Sequence, residues 1–309
     1  MKICSLLPSA TEILFALGLG DQVAGVSHEC DFPPEACSKP VLIVSRISHT
    51  ESAAAIDRQV REFLERGESL YSVDLTALAA IEPDLIITQD LCHVCAATPD
   101  DLGAALAHLP RRPEIVTLNP HSLADVCADI DAVARATDRV EQGSAVIANF
   151  ERDVAQVERA VAGVSRPRVL CLEWLDPPYV AGHWVPEMVA RAGGVDVLGH
   201  AGEASFRVEW KTIFDSQPDV IVLMPCGYGL NQVAKEFRDM ALPEGWDDMP
   251  AVRNGRVFLV EASGYFSRPG PRLAAGVAIL ADAIHAGQQA SLIPSAAGLV
   301  LARVKGAGM

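Results

Sequence analysis

Short apolar runs rich in β-branched residues recur along the chain and alternate with longer segments whose apolar positions come every three or four residues. Lys2-Ile3-Cys4-Ser5-Leu6-Leu7 reads as a first strand. Pro8-Ser9-Ala10-Thr11-Glu12 then opens a helix through Ala16, with Ser9 and Glu12 at capping-box spacing and Gly18 and Gly20 ending it. Val23 to Val26 and Val41 to Val44 are further strands. Asp74 to Ile81 reads as a helix leading through Pro83 into the buried strand Asp84-Leu85-Ile86-Ile87-Thr88. Glu114 to Leu118 is another strand, and Ser122 caps a helix through Arg135. Strands that alternate with helices imply parallel pairing through crossovers.

The rhythm changes after Thr137. From Arg139 to Ala162 there is no proline, and Val146, Phe150, Val154 and Val157 mark one face of a long amphipathic helix. Beyond it the pattern repeats. Arg168-Val169-Leu170-Cys171-Leu172-Glu173 parallels the first strand, and Gln217-Pro218-Asp219-Val220-Ile221-Val222 repeats Glu82-Pro83-Asp84-Leu85-Ile86-Ile87. The expected organisation is therefore an N-terminal α/β lobe over 1–138, a connecting helix over 139–166 and a C-terminal α/β lobe with a tail over 167–309. A helical connector permits only small hinge motion, so the lobes are expected to hold a fixed ligand cleft between them.

Composition narrows the partners. A chain of 309 residues is long enough for two cores. Its formal net charge of −15 leaves no general positive surface for nucleic-acid phosphates or anionic lipid. No run approaches the roughly 18 apolar residues of a spanning helix, so no membrane insertion is expected. Pro8 and Glu12 interrupt the N-terminal apolar stretch, which reads as a strand rather than a secretion leader. On that reading the protein is cytoplasmic, and its eight cysteines are thiols or metal ligands rather than disulfides.

Candidate chemistry concentrates where strands end. Gln89-Asp90-Leu91-Cys92-His93-Val94-Cys95 places a Cys-x-x-Cys pair at a strand's carboxyl end, the side of an open α/β sheet where ligands bind. Cys30 and Cys226 also follow strands, so Cys30, Cys92, Cys95 and Cys226 form a candidate thiolate set for a metal ion or an iron–sulfur cluster. Cys4 and Cys171 lie inside apolar runs and read as small buried hydrophobes. The loop from Glu261 to Arg272 carries two aromatics and two arginines just before a helix start, suited to carboxylates or phosphates. No hydrolase elbow, phosphate-binding loop, zinc-protease helix or dinucleotide fingerprint occurs.

Leu7-Pro8-Ser9-Ala10-Thr11-Glu12-Ile13-Leu14, the Gly25-Val26-Ser27 turn, the paired Pro-Asp strands and the central helix together resemble the periplasmic cobalamin- and siderophore-binding proteins of ABC importers. The resemblance runs over roughly residues 1–287. It implies two Rossmann-like α/β lobes joined by one long helix, with a small molecule held between them. It also implies docking on a permease through one glutamate per lobe, but Thr76 and Lys211 stand at those places, with Asp74 and Glu209 nearby.

Three readings follow. In the first the protein is a cytoplasmic binder of cobalamin or a related tetrapyrrole. Trp174, Trp184, Tyr265 and Phe266 would cover apolar faces, Arg46, Arg268 and Arg272 would meet peripheral groups, Ser9 would complete the site, and a histidine such as His28, His93 or His183 would ligate the central metal. In the second the four cysteines hold a metal or cluster and the chain is an enzyme, with Glu29, Asp90 or Glu173 as acid or base. In the third it is the substrate-binding component of an ABC importer. The first is the main expectation.

Overall fold

Leu85-Ile86-Ile87-Thr88-Gln89 is buried at every position, the pattern of a strand covered on both faces, and it has a neighbour on each side in one of two sheets. The computed structural model describes residues 1–47, 53–89, 106, 109, 111–286 and 302–303. The chain divides into two compact units, Met1–Pro120 with Ala124–Ala148, and His121–Leu123 with Asn149–Met309.

In the first unit the elements run β1 (Ile3–Ser5), α1 (Pro8–Ala16), β2 (Val23–Ser27), β3 (Val41–Ser45), α2 (Ala53–Glu65), β4 (Tyr71–Val73), α3 (Leu75–Ile81), β5 (Leu85–Gln89) and β6 (Glu114–Leu118). The sheet order is β4-β3-β2-β1-β5-β6, parallel except for the β3–β4 pair. The order reverses at β1, the topological switch point from which crossovers leave in opposite directions. Helices α4 (Leu123–Ala136) and α5 (Val140–Ala160) carry the chain onward, and the division between units falls inside α5.

The second unit comprises β7 (Arg168–Leu175), β8 (Pro178–Val180), α6 (Val185–Arg191), β9 (Val195–Asp196), β10 (Phe206–Arg207), α7 (Trp210–Ser216), β11 (Val220–Leu223), α8 (Leu230–Asp239), α9 (Pro250–Arg253), β12 (Val257–Leu259), α10 (Leu273–Ile284) and β13 (Ala302–Arg303). Its sheet runs β10-β8-β7-β11-β12-β13, with β9 also paired to β7. The β7–β11 and β11–β12 pairs are parallel, as expected for a repeat of the first unit. Asp176-Pro177-Pro178, legible in sequence only as a rigid turn, joins β7 to β8 in an antiparallel pair.

The repeated Pro-Asp sequence has a physical reason. Helices α3 and α7 both end on a left-handed residue, Glu82 and Gln217, and the following proline cannot extend either helix. The Asp84 carboxylate then accepts the Lys2 backbone N–H at 2.7 Å, and the Asp219 carboxylate accepts that of Arg168 at 2.9 Å. Each aspartate thus pins the start of its unit's second central strand to the start of the first. In the first unit the Lys2 N–H, followed by Arg111, holds the Asp84 carboxyl below the usual range.

One local expectation fails. Helix α1 begins at Pro8 with Leu7 at the N-cap and no side-chain cap bond, so Ser9 sits in the first turn rather than capping it. Proline's fixed φ starts the helix two residues earlier than the Ser9/Glu12 spacing implies. Cys4 and Cys171 are fully buried, and burial pushes the Cys4 thiol up to about 12 and that of Cys171 well above its ordinary value. In the second unit Leu170, Leu172, Ile221 and Leu223 are fully buried, each contributing about 1.5–3 kcal/mol of apolar burial.

Candidate functional site

In the second unit the outlets of β7, β11 and β12 are tied together by backbone. The Cys226 N–H donates to the Glu173 carbonyl at 3.0 Å, and the Tyr228 carbonyl accepts from both Ala262 and Ser263. Gly227 N–H donates to the Ser267 hydroxyl at 3.1 Å. These bonds fix a layer of aromatic side chains. Trp174, half-buried on β7, meets Tyr228 edge-on with centroids 5.5 Å apart. Trp184, at the entry to α6, is buried, and its indole N–H donates to the Phe266 carbonyl at 2.8 Å.

Phe266 lies in a π-helical turn, Ser263–Ser267, whose first residues are held by Glu261, both carboxylate oxygens accepting the Gly264 N–H at 3.2 Å. Tyr265, half-buried, carries the Arg272 guanidinium 5.4 Å above its ring. A Cβ at Gly264 would stand 2.2 Å from the Arg272 guanidinium, so a larger residue there would displace that side chain. Arg268 is buried. The predicted residues Trp174, Trp184, Tyr265, Phe266, Arg268 and Arg272 therefore belong to one unit, in segments that follow its central strands or open its helices.

His183 belongs to the same unit. It takes φ +51°, unusual for a residue with a side chain. Two backbone bonds hold it there, from the His183 N–H to the Glu203 carbonyl and from the Gly202 N–H to the His183 carbonyl. Its ring lies 5.5 Å from that of Trp184 and 5.8 Å from that of His121. Burial, then the neighbouring His121, lowers the His183 pKa.

The remaining candidates lie in the first unit. Ser9 is buried, its hydroxyl without a hydrogen-bond partner among the described residues. His28 is half-buried, with Nδ1 3.2 Å from the Ile43 carbonyl and Nε2 3.8 Å from the Glu29 carboxylate. Arg46 is bound to the surface of its own unit, pairing with Glu68 at 3.0 Å and lying 4.7 Å over the Phe63 ring. Cys30 is buried, its sulfur 3.0 Å from the Thr11 hydroxyl and 3.4 Å from that of Ser27. Cys226 is an exposed residue of the second unit. Cys92 and Cys95, with Asp90 and His93, lie outside the described residues. Among the described residues no group of three or more His, Cys, Asp or Glu side chains is arranged to hold a metal ion.

A duplicated, mainly parallel α/β unit, with polar and aromatic side chains gathered after its central strands, defines a ligand-binding class of protein rather than a single chemistry. The model of the periplasmic binding protein family matches residues 3–263, and the chain belongs to that family. The chain is 23% identical over 274 residues to the vitamin B12-binding protein of Vibrio cholerae, covering 88% of this chain and 84% of the relative. It is 24% identical over 300 residues to the uncharacterized ABC transporter substrate-binding lipoprotein YvrC of Bacillus subtilis, covering 92% and 80%. Among solved structures, the periplasmic heme-binding protein RhuT of Roseiflexus sp. RS-1 superposes with TM-score 0.70 at 25% identity, covering 93% of this chain and 99% of that one. The vitamin B12-binding protein BtuF of Vibrio cholerae shares the fold, with TM-score 0.68 at 20% identity over 94% and 98%.

These findings overturn the expected cytoplasmic location. The family is one of periplasmic binding proteins and the Bacillus relative is a lipoprotein, both of which work outside the cytoplasm. The expectation rested on the first residues, and these form β1 and α1, a property of the fold and not of destination. No described helix is long and apolar enough to cross a membrane.

Proposed function

We propose that this protein is the substrate-binding component of an ABC importer and that its cargo is a corrinoid or related metal tetrapyrrole. The observation that carries the reading is the match along 88% of the chain to vitamin B12-binding protein. The chemistry of the second unit agrees with it. Trp174 and Tyr265, both half-buried, offer apolar faces of the kind a flat macrocycle buries, and Arg268 and Arg272 offer guanidinium groups for its carboxylate or amide side chains.

Permease contact falls, in this reading, to Asp74 and Glu209. Both are exposed at the N-cap positions of the equivalent helices α3 and α7, and the Asp74 carboxylate accepts the Ala77 N–H at 2.9 Å. They take the place of acidic side chains that Thr76 and Lys211 do not supply.

The test is direct. Purified protein is titrated with cyanocobalamin and, separately, with hemin, following tryptophan quenching and equilibrium dialysis. One equivalent of either bound at micromolar concentration or tighter, and weakened at least tenfold in Arg268→Gln or Trp174→Ala, supports the reading. Failure of both to bind overturns it.

A further inference from the structure

His121 and His183 are brought together by a set of contacts that none of their neighbours in sequence requires. Both belong to the second unit. Their rings lie 5.8 Å apart between centroids, tilted by 37°. We infer that these two imidazoles form a binding site for a divalent late first-row metal ion of the nickel, cobalt, copper or zinc type, independent of the cargo proposed above.

Geometry argues first. Metal–imidazole bonds of ~2.0–2.1 Å place each ring centroid ~3.2 Å from the ion, so two rings sharing one ion lie at most ~6.4 Å apart between centroids, and the observed 5.8 Å is within that reach. Imidazole suits these ions in particular. With two protein ligands, the ion keeps positions for water or a chelating small molecule.

Positioning argues second. His183 holds a left-handed backbone conformation that costs about 1–2 kcal/mol in a residue with a side chain. The segment 202–205 enforces it. Gly182 N–H donates to the Ser205 hydroxyl, and a Cβ on Gly182 would stand 2.5 Å from the Glu203 carbonyl. Behind the ring stands Trp184, itself fixed by its bond to Phe266.

His121 is positioned from the other side. Glu187, four residues beyond His183, accepts the Leu123 backbone N–H at 3.0 Å, drawing the chain two residues after His121 onto α6. Arg191 holds that carboxylate and is itself bonded to Glu158 at 2.7 Å. Strain on one histidine and an ion-pair chain behind the other are the marks of a preorganised pair.

The experiment uses the full chain carrying Cys92→Ser and Cys95→Ser, so that these thiols do not compete, stripped with a chelator and titrated with Ni²⁺ and Co²⁺. The readouts are equilibrium dialysis and the ligand-field and X-ray absorption spectra of the bound ion. The expected result is one equivalent per chain with imidazole scattering. His183→Asn, which tolerates the left-handed backbone, and His121→Gln each weaken binding at least tenfold, and Glu187→Gln, acting through position alone, weakens it by about tenfold. Circular dichroism shows whether each variant is folded, and the asparagine and glutamine side chains are chosen to keep it so. Absence of stoichiometric binding in the parent chain, or binding unchanged in both histidine variants, overturns the proposal.

Discussion

Asp129 is the residue whose replacement tests the energetics most sharply. It lies on α4, one carboxylate oxygen buried with no hydrogen-bond partner among the described residues. Burial, and then the charge of Asp125, raise its pKa from 3.8 to about 7 against the backbone N–H of Asn119, which lowers it. The folded chain therefore keeps this proton where the unfolded chain has released it. Its contribution to stability is fully present below 3.8 and is lost as pH rises through about 7. For a group wholly shielded from water that rise amounts to about 4 kcal/mol, at ~1.4 kcal/mol per pH unit. Asp129 is only half-buried, and water screens the charge, so about 1–2 kcal/mol is the expected net cost at pH 8. Asp129→Asn keeps the shape and the acceptor for Asn119 while removing the ionisation. In urea unfolding followed by circular dichroism, the variant should gain about 1–2 kcal/mol at pH 8, with the gain shrinking steadily toward pH 4. An equal gain at both pH values, or a loss at pH 8, would refute the reasoning.

Three further substitutions follow from close contacts. Gly276→Ala should improve helix propensity in α10 by about 1 kcal/mol, yet the new Cβ would meet the Tyr265 carbonyl at 2.2 Å, so a net loss of about 1–3 kcal/mol is expected in a thermal melt. Trp184→Phe leaves the Phe266 carbonyl without its indole donor and should cost about 1 kcal/mol, read as a lower urea midpoint with unchanged slope. Asp219→Ala removes the acceptor for the Arg168 N–H and should cost about 1–3 kcal/mol, with faster amide exchange at Arg168 than elsewhere in β7.

Strands, helices and the duplication were legible in the sequence because each rests on local causes. Leu85-Ile86-Ile87 and Val220-Ile221-Val222 are apolar runs rich in β-branched residues behind a helix-stopping Pro-Asp pair, and nothing distant is needed to recognise them. The capping-box reading of Ser9 and Glu12 failed on a competing local rule, the preference of proline for the first helical turn. The aromatic and arginine cluster between Glu261 and Arg272 was visible as composition. Its support, the bond from Trp184 to Phe266, joins residues 82 positions apart and has no sequence signature.

The thiol set shows the same limit from the other side. Cys30 was grouped with Cys226 because both follow strands. In the fold Cys30 is enclosed by the Thr11 and Ser27 hydroxyls, while Cys226 is exposed in the other unit. Strand position places a residue at an edge of a sheet but does not aim its side chain.

By itself, then, the sequence determined the α/β class, the two-part organisation and the family, because hydrophobic period, turn residues and the repeated Pro-Asp motif act over a few residues each. Tertiary structure alone decided which polar groups meet. The His121–His183 pair and the Glu187 carboxylate that accepts the Leu123 N–H both depend on packing between elements far apart in the chain. Those contacts set charge, strain and basicity.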